Sequence, residues 1–336
     1  MAMAIKKLHA SDSELAEITR NSLFITSASY EERCLTVPKA VADIPKKAIV
    51  FWVKNLFPQI EVNLGEIEKC IGSEKVRKVA TDISDPVASA SEIDQAIMMG
   101  LEGEDGADVV IDITTFTHEH LLFLIKSLAL RKEKIKSLKC IYSGAAEYSY
   151  NEKDTSKWLS KGCAEVRSVV GYPGTIYPGV ETVLIIVFGF EHERAECVRE
   201  EMQPDSLYLG VGSSDSVTDD AHRAPLALFS WMFEDSLAMQ QDVHKFSFEA
   251  CNPEDAFSKL EEIIEKTPGC NHIIVPMNTK LSTLAVAAIG LRNPEVQLCY
   301  AQPETYNFEA YSKPGDVVHV FDGTQFLLGD FSSHGN

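Results

Sequence analysis

Each half of the chain places a Glu-Arg pair just after an apolar run. The runs 23–25 and 184–188 lead to Glu32–Arg33 and Glu193–Arg194, and Ser29 precedes the first pair. An Arg side chain offers a planar set of N–H donors that suits phosphate or carboxylate, and the start of a helix attracts anions. We predict that Ser29, Arg33 and Arg194 bind an anionic ligand and that Glu32 and Glu193 are acid–base groups. The alternative is that both pairs stabilise the fold, with each Glu favoured by a helix dipole.

A Thr-rich turn follows a third apolar run, which ends at Asp112. Thr114, Thr115 and Thr117 come directly after it. The stretch resembles the phosphoribosyl-pyrophosphate loop of phosphoribosyltransferases, although Asp112 stands alone where that family has an acidic pair, and Phe116 lies where it favours Gly. The resemblance implies a catalytic Asp112 and threonines that bind a phosphorylated sugar. The alternative is that Thr114 or Thr117 caps the next helix.

The second half has different residues at the corresponding places. Asn278 and Lys280 follow the strand-like run that ends at 275, and Lys280 would add positive charge at a helix start. The polar stretch 209–223 contains Gly-x-Gly, a weak signal by itself, followed by Ser213 and Asp215. We expect these four residues to bind the ligand. The acidic residues of this stretch suit either a divalent cation or a helix cap, and we favour the cap and predict no metal site.

Composition limits the classes of function. The chain has 336 residues with 50 acidic and 31 basic side chains, and its formal net charge of −19 argues against broad nucleic-acid binding. Its apolar runs are too short to span a bilayer, so we expect a cytoplasmic protein without membrane contact. The eight cysteines form no metal-like cluster, and we expect them to be reduced.

Short β-rich runs alternate with longer helical patterns throughout both halves. This alternation predicts parallel sheets covered by helices. The motifs also recur in order, because Arg33 is matched by Arg194, Tyr142 by Tyr300 and Ser160 by Ser312. A repeat at this spacing indicates whole domains rather than the short units of a solenoid. We predict an α/β fold made by tandem duplication of a Rossmann-like three-layer (αβα) domain, each copy having a mainly parallel sheet and a final edge strand.

The predicted boundaries follow from the repeat and from the Gly/Pro-rich stretch 171–179. We expect a leader at 1–20, the first domain at 21–171, a linker at 172–180, the second domain at 181–330 and a tail at 331–336. Runs 165–170 and 316–320 are the expected edge strands of the first and second domains.

Two hypotheses about function remain open at this stage. One is a protein, possibly an enzyme, that binds a small phosphorylated or nucleotide-like molecule at the carboxyl ends of the strands or in a cleft between the domains. The other is a non-catalytic sensor or scaffold subunit that binds protein partners. The sequence identifies no cofactor and leaves open whether the protein is an enzyme.

Overall fold

A computed structural model describes residues 5–148, 159–189, 191–213, 234, 242–308 and 312–330. The chain divides into two compact units. Unit 1 comprises Met1–Glu147 and Ser312–Asp330, and unit 2 comprises Tyr148–Tyr311 and Phe331–Asn336. Unit 2 is therefore a nearly continuous segment inserted between two parts of unit 1.

Unit 1 is built from strands and helices that alternate along most of its sequence. Its strands are β1 (Lys6–His9), β2 (Leu23–Ser27), β3 (Lys47–Val53), β4 (Val76–Thr81), β5 (Ala107–Asp112), β6 (Ile135–Tyr148) and, from the end of the chain, β15 (Ser312–Asp322). Its helices are α1 (Ser13–Thr19), α2 (Thr36–Ala40), α3 (Glu61–Ile71), α4 (Pro86–Gly100), α5 (His118–Ala129) and α9 (Thr324–Leu328). Short 3-10 helices lie at Glu32–Leu35, Lys54–Leu56 and Lys132–Lys134.

The seven-stranded sheet of unit 1 has the order β1-β15-β6-β5-β2-β3-β4. Strands β2 to β6 are parallel to their neighbours among themselves, and β1 pairs antiparallel with β15. Helices cover both faces of this sheet. On one face Leu15, Val37 and Ile67 of α1, α2 and α3 join a core with Phe24 and Val50, while on the other Gly100 of α4 lies against Leu23 and Ile49.

Unit 2 repeats this arrangement in the part of it that is described. Its strands are β7 (Ser160–Lys161), β8 (Glu165–Ser168), β9 (Thr182–Phe188), β10 (Ser206–Ser213), β11 (Asp242–Glu249), β12 (Asn271–Pro276), β13 (Gln297–Gln302) and β14 (Thr305–Tyr306). Its helices are α6 (His192–Met202), α7 (Pro253–Lys266) and α8 (Lys280–Arg292). The main sheet has the order β11-β10-β9-β12-β13-β8, and β7 pairs with β14. The sequence pattern also predicts a helix at 222–240, nearly all of which lies outside the described residues.

Helix starts in both units follow from local sequence. Asp85 caps α4 by accepting the Ala88 N–H at 2.9 Å, and Pro86 is the first residue of that helix. Asn252 and Pro253 do the same for α7. A capping side chain accepts a hydrogen bond from an N–H that has no partner within the helix. Proline at the first helical position has no N–H that needs such a partner. Strand exit and helix start therefore follow each other closely, as a crossover between parallel strands requires.

The parallel strands of each unit, numbered in chain order, lie in the sheet order 3-2-1-4-5. This is the strand order of Rossmann-like folds. The chain is an α/β protein with two Rossmann-like units, each with a mainly parallel sheet and an antiparallel strand at its edge, and this confirms the predicted fold class.

The edge strands differ from the prediction because the two halves of the repeat exchange them. Strand β8, expected in the first domain, pairs antiparallel with β13 of unit 2, from Cys299↔Ser168 to Gln302↔Glu165. Strand β15, expected to close the second domain, lies beside β6 in unit 1. The units therefore change at Glu147/Tyr148 and Tyr311/Ser312, and not at the predicted linker. A repeat shows which segments correspond, but it does not show which sheet each one joins.

Two other predicted boundaries differ from the structure. The expected leader contains β1 and α1, and Leu15 of α1 is completely buried in the core of unit 1. The expected linker, residues 172–180, belongs to unit 2. Its Thr175 N–H donates to Glu295 O at 2.9 Å, and its first residue, Tyr172, is buried.

A buried ion pair fastens the exchanged strand in unit 1. Arg33 donates to Glu31 Oε2 from Nη2 at 2.6 Å and from Nε at 3.0 Å. Its Nε also donates to Ser312 Oγ at 2.9 Å, and the Ser312 hydroxyl donates to the same Glu31 oxygen at 2.6 Å. Arg33 is only 4% exposed. Ser312 is thus the residue through which β15 completes the pairing of two buried charges.

Unit 2 has the same cluster with residues from the corresponding places. Arg194 Nη2 lies 3.1 Å from Glu191 Oε2, and the Ser160 hydroxyl donates to the Glu191 carboxylate. Arg194 is 4% exposed. Ser160 and Ser312 are the residues that the repeat aligned, and each serves the unit formed mainly by the other half of the sequence.

Because β15 belongs to unit 1 and the segment of Ser160 to unit 2, substitutions of Ser312 and Ser160 should destabilise different units. Ser312→Ala removes hydrogen bonds to buried charges in unit 1, and Ser160→Ala does so in unit 2, each at a cost of about 1–3 kcal/mol. We expect Ser312→Ala to raise amide hydrogen exchange in β2 and β6 while β9 and β12 remain unchanged. Ser160→Ala should produce the reverse pattern. If Ser312→Ala speeds amide hydrogen exchange in β9 and β12, the assignment of β15 to unit 1 is contradicted.

Candidate functional site

The strand order determines where a ligand site can form in each unit. In an open parallel sheet, ligands bind beyond the carboxyl ends of the strands, at the point where the chain changes direction across the sheet. In unit 1 this point lies between the ends of β2 and β5, at Ser27 and Asp112. In unit 2 it lies between the ends of β9 and β12, at Phe188 and Pro276.

Asp112 is the centre of a hydrogen-bond network at this point in unit 1. Its Oδ1 accepts the Thr114 N–H at 3.1 Å and the Thr114 hydroxyl at 2.5 Å, and its Oδ2 accepts the Thr26 hydroxyl at 3.2 Å. Thr114 Oγ1 in turn accepts the Ser143 N–H at 3.0 Å. The network joins the ends of β2 and β5 to Ser143 within β6. Asp112 and Thr114 are each 1% exposed, so in this structure they organise the turn from within.

Burial changes the acidity of Asp112. Removal of the carboxyl from water raises its pKa to about 6 from a usual value of 3.8, and the hydrogen bonds from Thr114 and Thr26 oppose that rise only in part. A carboxyl group of this kind has a pKa suited to acid–base chemistry near neutral pH. Its burial means that a substrate would reach it only through a rearrangement of the turn.

The other residues predicted to bind ligand in unit 1 lie around this network. The Thr115 hydroxyl donates to Ser27 O at 2.7 Å, and Thr117 caps α5 by accepting the His120 N–H at 3.0 Å. Ser29 is buried, and its Oγ accepts the Glu31 N–H at 3.3 Å. The predicted cap at Thr117 is therefore present. Glu32 is exposed at the start of its 3-10 helix, while its neighbour Glu31, which was not predicted, pairs with Arg33.

The corresponding point in unit 2 is organised by an amide. Asn278 Nδ2 donates to Phe188 O, and its Oδ1 accepts the Thr279 N–H at 2.8 Å. Phe188 ends β9 just as Ser27 ends β2, so Asn278 makes the tether that Thr115 makes in unit 1. Both tethers hold the last carbonyl of the first parallel strand. An amide replaces a hydroxyl, and the buried carboxylate has no counterpart because Pro276 occupies the end of β12.

Two glycines bring bare backbone close to Asn278. A Cβ added at Gly189 would lie 2.0 Å from Met277 O. One added at Gly212 would lie 2.8 Å from Ala250 Cβ and 3.2 Å from Asn278 Nδ2. The ends of β9, β10 and β12 therefore converge at Asn278, and any side chain on either glycine would fill the space around it.

Thr279, which was not predicted, and the predicted residues Lys280 and Ser213 also lie at this convergence. Thr279 caps α8 by accepting the Ser282 N–H at 3.1 Å, and its hydroxyl donates to Ala250 O. Lys280 is the first residue of α8 and is half-buried. Ser213 ends β10, is exposed, and donates to Phe248 O at 3.2 Å. The structure thus brings Ser213, Asn278 and Lys280 to the ends of neighbouring strands; Asp215 lies outside the described residues.

Arg194 and Glu193 lie at the start of α6. Arg194 is buried in the ion pair with Glu191, and Glu193 is exposed and accepts the Gly162 N–H at 2.8 Å. Both groups hold the segment that contains β7. The sequence analysis missed Glu31, Glu191, Ser160 and Ser312 as members of these clusters, although the repeat had already aligned the two serines.

No group of three or more His, Cys, Asp or Glu side chains in the described residues is arranged to hold a metal ion. No helix in the same part of the chain has the length and apolar composition needed to cross a membrane.

Asp112 makes stability depend on pH in a defined direction. Because its pKa is raised in the folded protein, the folded state keeps this proton longer, and stability falls as the pH rises from about 4 to about 6. Asp112→Asn removes this effect. Relative to wild type, we expect the variant to gain about 2 kcal/mol in free energy of unfolding between pH 4 and pH 7, measured by urea denaturation. Asp108→Asn, on the same strand and less buried, is the control, and an equal gain in that variant would contradict the prediction.

Gly189 gives a second test of the site geometry. Gly189→Ala forces a Cβ against Met277 O and should lower the free energy of unfolding by about 1–3 kcal/mol. Gly65→Ala is the matched control, since a Cβ there meets nothing within 4 Å inside α3. That control should raise stability by about 0.5–1 kcal/mol, because Gly is a poor helix former. Equal effects in the two variants would show that the backbones at 189 and 277 are not in close contact.

Comparison with known proteins finds similarity only to solved structures of low sequence identity. No protein-family model matches the sequence, and no curated protein matches it. AtPrR2 with NADP+ and (+)pinoresinol is similar at 9% sequence identity, over 71% of this chain and 82% of that chain, with a TM-score of 0.25. The N-domain of a bacterial malonyl-CoA reductase with NADP is similar at 8% identity, over 83% of this chain and 78% of that chain, with a TM-score of 0.24. The Rossmann-like assignment therefore rests on the strand order of each unit.

Proposed function

We propose that the protein binds a small phosphorylated, nucleotide-like ligand at the carboxyl edge of the sheet in unit 2. The observation that supports this most directly is the convergence of Gly189, Gly212 and Asn278 in front of Lys280. Bare backbone lets a phosphate come close to N–H groups, and a helix start with a Lys adds positive charge. The site requires no contribution from unit 1.

Differences between the units favour unit 2 as the site. In unit 1, Asp112 places a buried acidic group at the point where the chain changes direction across the sheet, and the Thr115 hydroxyl donates to the last carbonyl of β2. A carboxyl that ionises there repels a phosphate. In unit 2 the equivalent tether is the neutral Asn278, and the helix that starts beside it begins with a cation. The acidic group in unit 1 and the lysine in unit 2 therefore both favour unit 2 as the place where an anion binds.

In this proposal Arg33 and Arg194 do not bind the ligand, contrary to the prediction from the sequence, but have a structural role. Both guanidinium groups are 4% exposed and paired with Glu. We assign them to holding the exchanged strands, and leave Lys280 as the residue that contacts the anion. Catalytic roles for Asp112, Glu32 and Glu193 remain predictions, as does the alternative function as a scaffold for protein partners.

A ligand screen with two lysine variants tests the proposal. NADP+, NAD+, ATP, ADP-ribose and phosphoribosyl pyrophosphate are added to the full chain, and thermal unfolding is followed. A ligand at 100 times its Kd should stabilise the protein by about 2.7 kcal/mol. Lys280→Ala should then raise the Kd about tenfold or more, measured by calorimetry, since a bond to a charged group contributes roughly 1.5–3 kcal/mol.

Lys266→Ala is the matched control for this experiment. Lys266 ends α7 in the same unit, is 65% exposed and pairs with Glu262. Its removal changes the net charge equally but should leave the Kd unchanged. The proposal fails if no compound stabilises the protein, or if both lysine variants weaken binding to the same extent.

A further inference from the structure

Two thiols meet beside the exchanged segment of unit 2. Cys163 lies in the turn between β7 and β8, and Cys197 lies in α6. Both are free and partly exposed, and their side chains are hydrogen-bonded to each other. Cysteines 34 positions apart in the sequence meet in this way only when the fold holds both segments in place. This pair is separate from the proposed ligand site.

The backbone around Cys163 is held against α6 on the side of Cys197. Glu193 and Cys197 are four residues apart and so lie on the same face of the helix. The Glu193 carboxylate accepts the N–H of Gly162, the residue before Cys163, at 2.8 Å. Glu193 and Cys197 thus contact two consecutive residues of the turn, and the sulfur–sulfur contact follows from that alignment.

Further hydrogen bonds fix the turn at both ends. Before Cys163, the Ser160 hydroxyl donates to Glu191, which precedes α6. After it, the Ala164 N–H donates to Gln302 O at 2.8 Å. The turn is therefore anchored to α6 on one side and to β13 on the other. Little movement is left for Cys163 apart from rotation of its side chain.

The surroundings of Cys163 favour its thiol form. Burial and the neighbouring Cys197 sulfur raise the pKa of the Cys163 thiol, while the positive charge of Arg194 opposes the rise. In thiol–disulfide exchange the thiolate is the nucleophile, so oxidation of the pair should be faster at higher pH.

We propose that Cys163 and Cys197 form a reversible disulfide, a covalent modification site that fastens the β7–β8 turn to α6. The oxidant is a low-molecular-weight disulfide such as oxidised glutathione. The thiolate of one of the two cysteines attacks one of its sulfurs and expels one glutathione thiolate, which takes up a proton. The other cysteine then loses its proton and attacks the sulfur of the first, expelling the second glutathione as a thiolate that takes up that proton. Two protein thiols become one disulfide, and their two electrons reduce the glutathione disulfide to two thiols.

The bond would act on the edge of the sheet in unit 2. Strand β8, which directly follows the turn, is the outer strand beside β13. Cross-linking the turn to α6 reduces the conformational freedom of this segment in the unfolded and partly unfolded chain. Oxidation should therefore stabilise unit 2 and leave amide hydrogen exchange in unit 1 unchanged.

The experiment oxidises the full chain and locates the bond. The protein is incubated with oxidised glutathione, its remaining thiols are alkylated, and its peptides are mapped by mass spectrometry. We expect a cross-linked peptide pair containing Cys163 and Cys197 and a Tm higher by roughly 5–10 °C, both reversed by dithiothreitol. Cys163→Ser and Cys197→Ser should lose the Tm shift, and Cys270→Ser should retain it.

A rate measurement tests the role of the anchoring turn. Glu193→Ala removes the acceptor of the Gly162 N–H and should slow formation of the disulfide, whereas Glu32→Ala, at the matching position of unit 1, should not. The proposal is overturned if both thiols of oxidised wild-type protein are alkylated in full, or if Cys197 ends as a stable mixed disulfide with glutathione. A Tm shift that persists in Cys163→Ser overturns it as well.

Discussion

In each unit an additional strand covers the outer edge of the fifth parallel strand and pairs backbone N–H and C=O groups that would otherwise be exposed there. Unit 1 takes that strand from residues 312–322 and unit 2 takes it from residues 165–168. The buried charges depend on the same strands or on the segments beside them. Ser312 completes the pairing of Glu31 with Arg33, and Ser160 contacts Glu191. Breaking a buried ion pair typically costs about 3–5 kcal/mol, so closure of the sheet and pairing of the charges stabilise each other.

Much of the architecture was predictable because it follows from local pattern. Strands such as Thr182–Phe188 are almost wholly apolar, and helices such as Pro86–Gly100 start at an Asp-Pro pair, so both can be recognised without tertiary information. The antiparallel partners of the edge strands could not be predicted. Strand β8 has four residues, partly or fully exposed, and nothing in them selects one fifth strand over its duplicate. The repeat aligned Ser160 with Ser312 but could not show that each serves the other unit.

Candidate site residues were harder to interpret than the fold. An Arg after a strand is equally suited to an external anion and to an internal carboxylate, and its burial decides between them. Arg33 and Arg194 proved to be buried beside Glu, whereas Lys280 is half-buried at the start of a helix. The positions at which the copies differ were more informative. Replacement of the Thr115 tether by Asn278 keeps the same bond to the first strand, and it does so where the second copy has no buried carboxylate.

Insertion of unit 2 within unit 1 also determines the order in which the units can be finished during synthesis. Every strand of the main sheet in unit 2 has been translated once residue 302 is added, but unit 1 still lacks β15, which ends at Asp322. The first 148 residues must therefore wait, with the outer edge of β6 uncovered, while more than 160 residues are added. At about 5–20 residues per second this interval lasts on the order of ten to thirty seconds. An uncovered strand edge is a template for aggregation, and pairing of β15 with β6 removes that template.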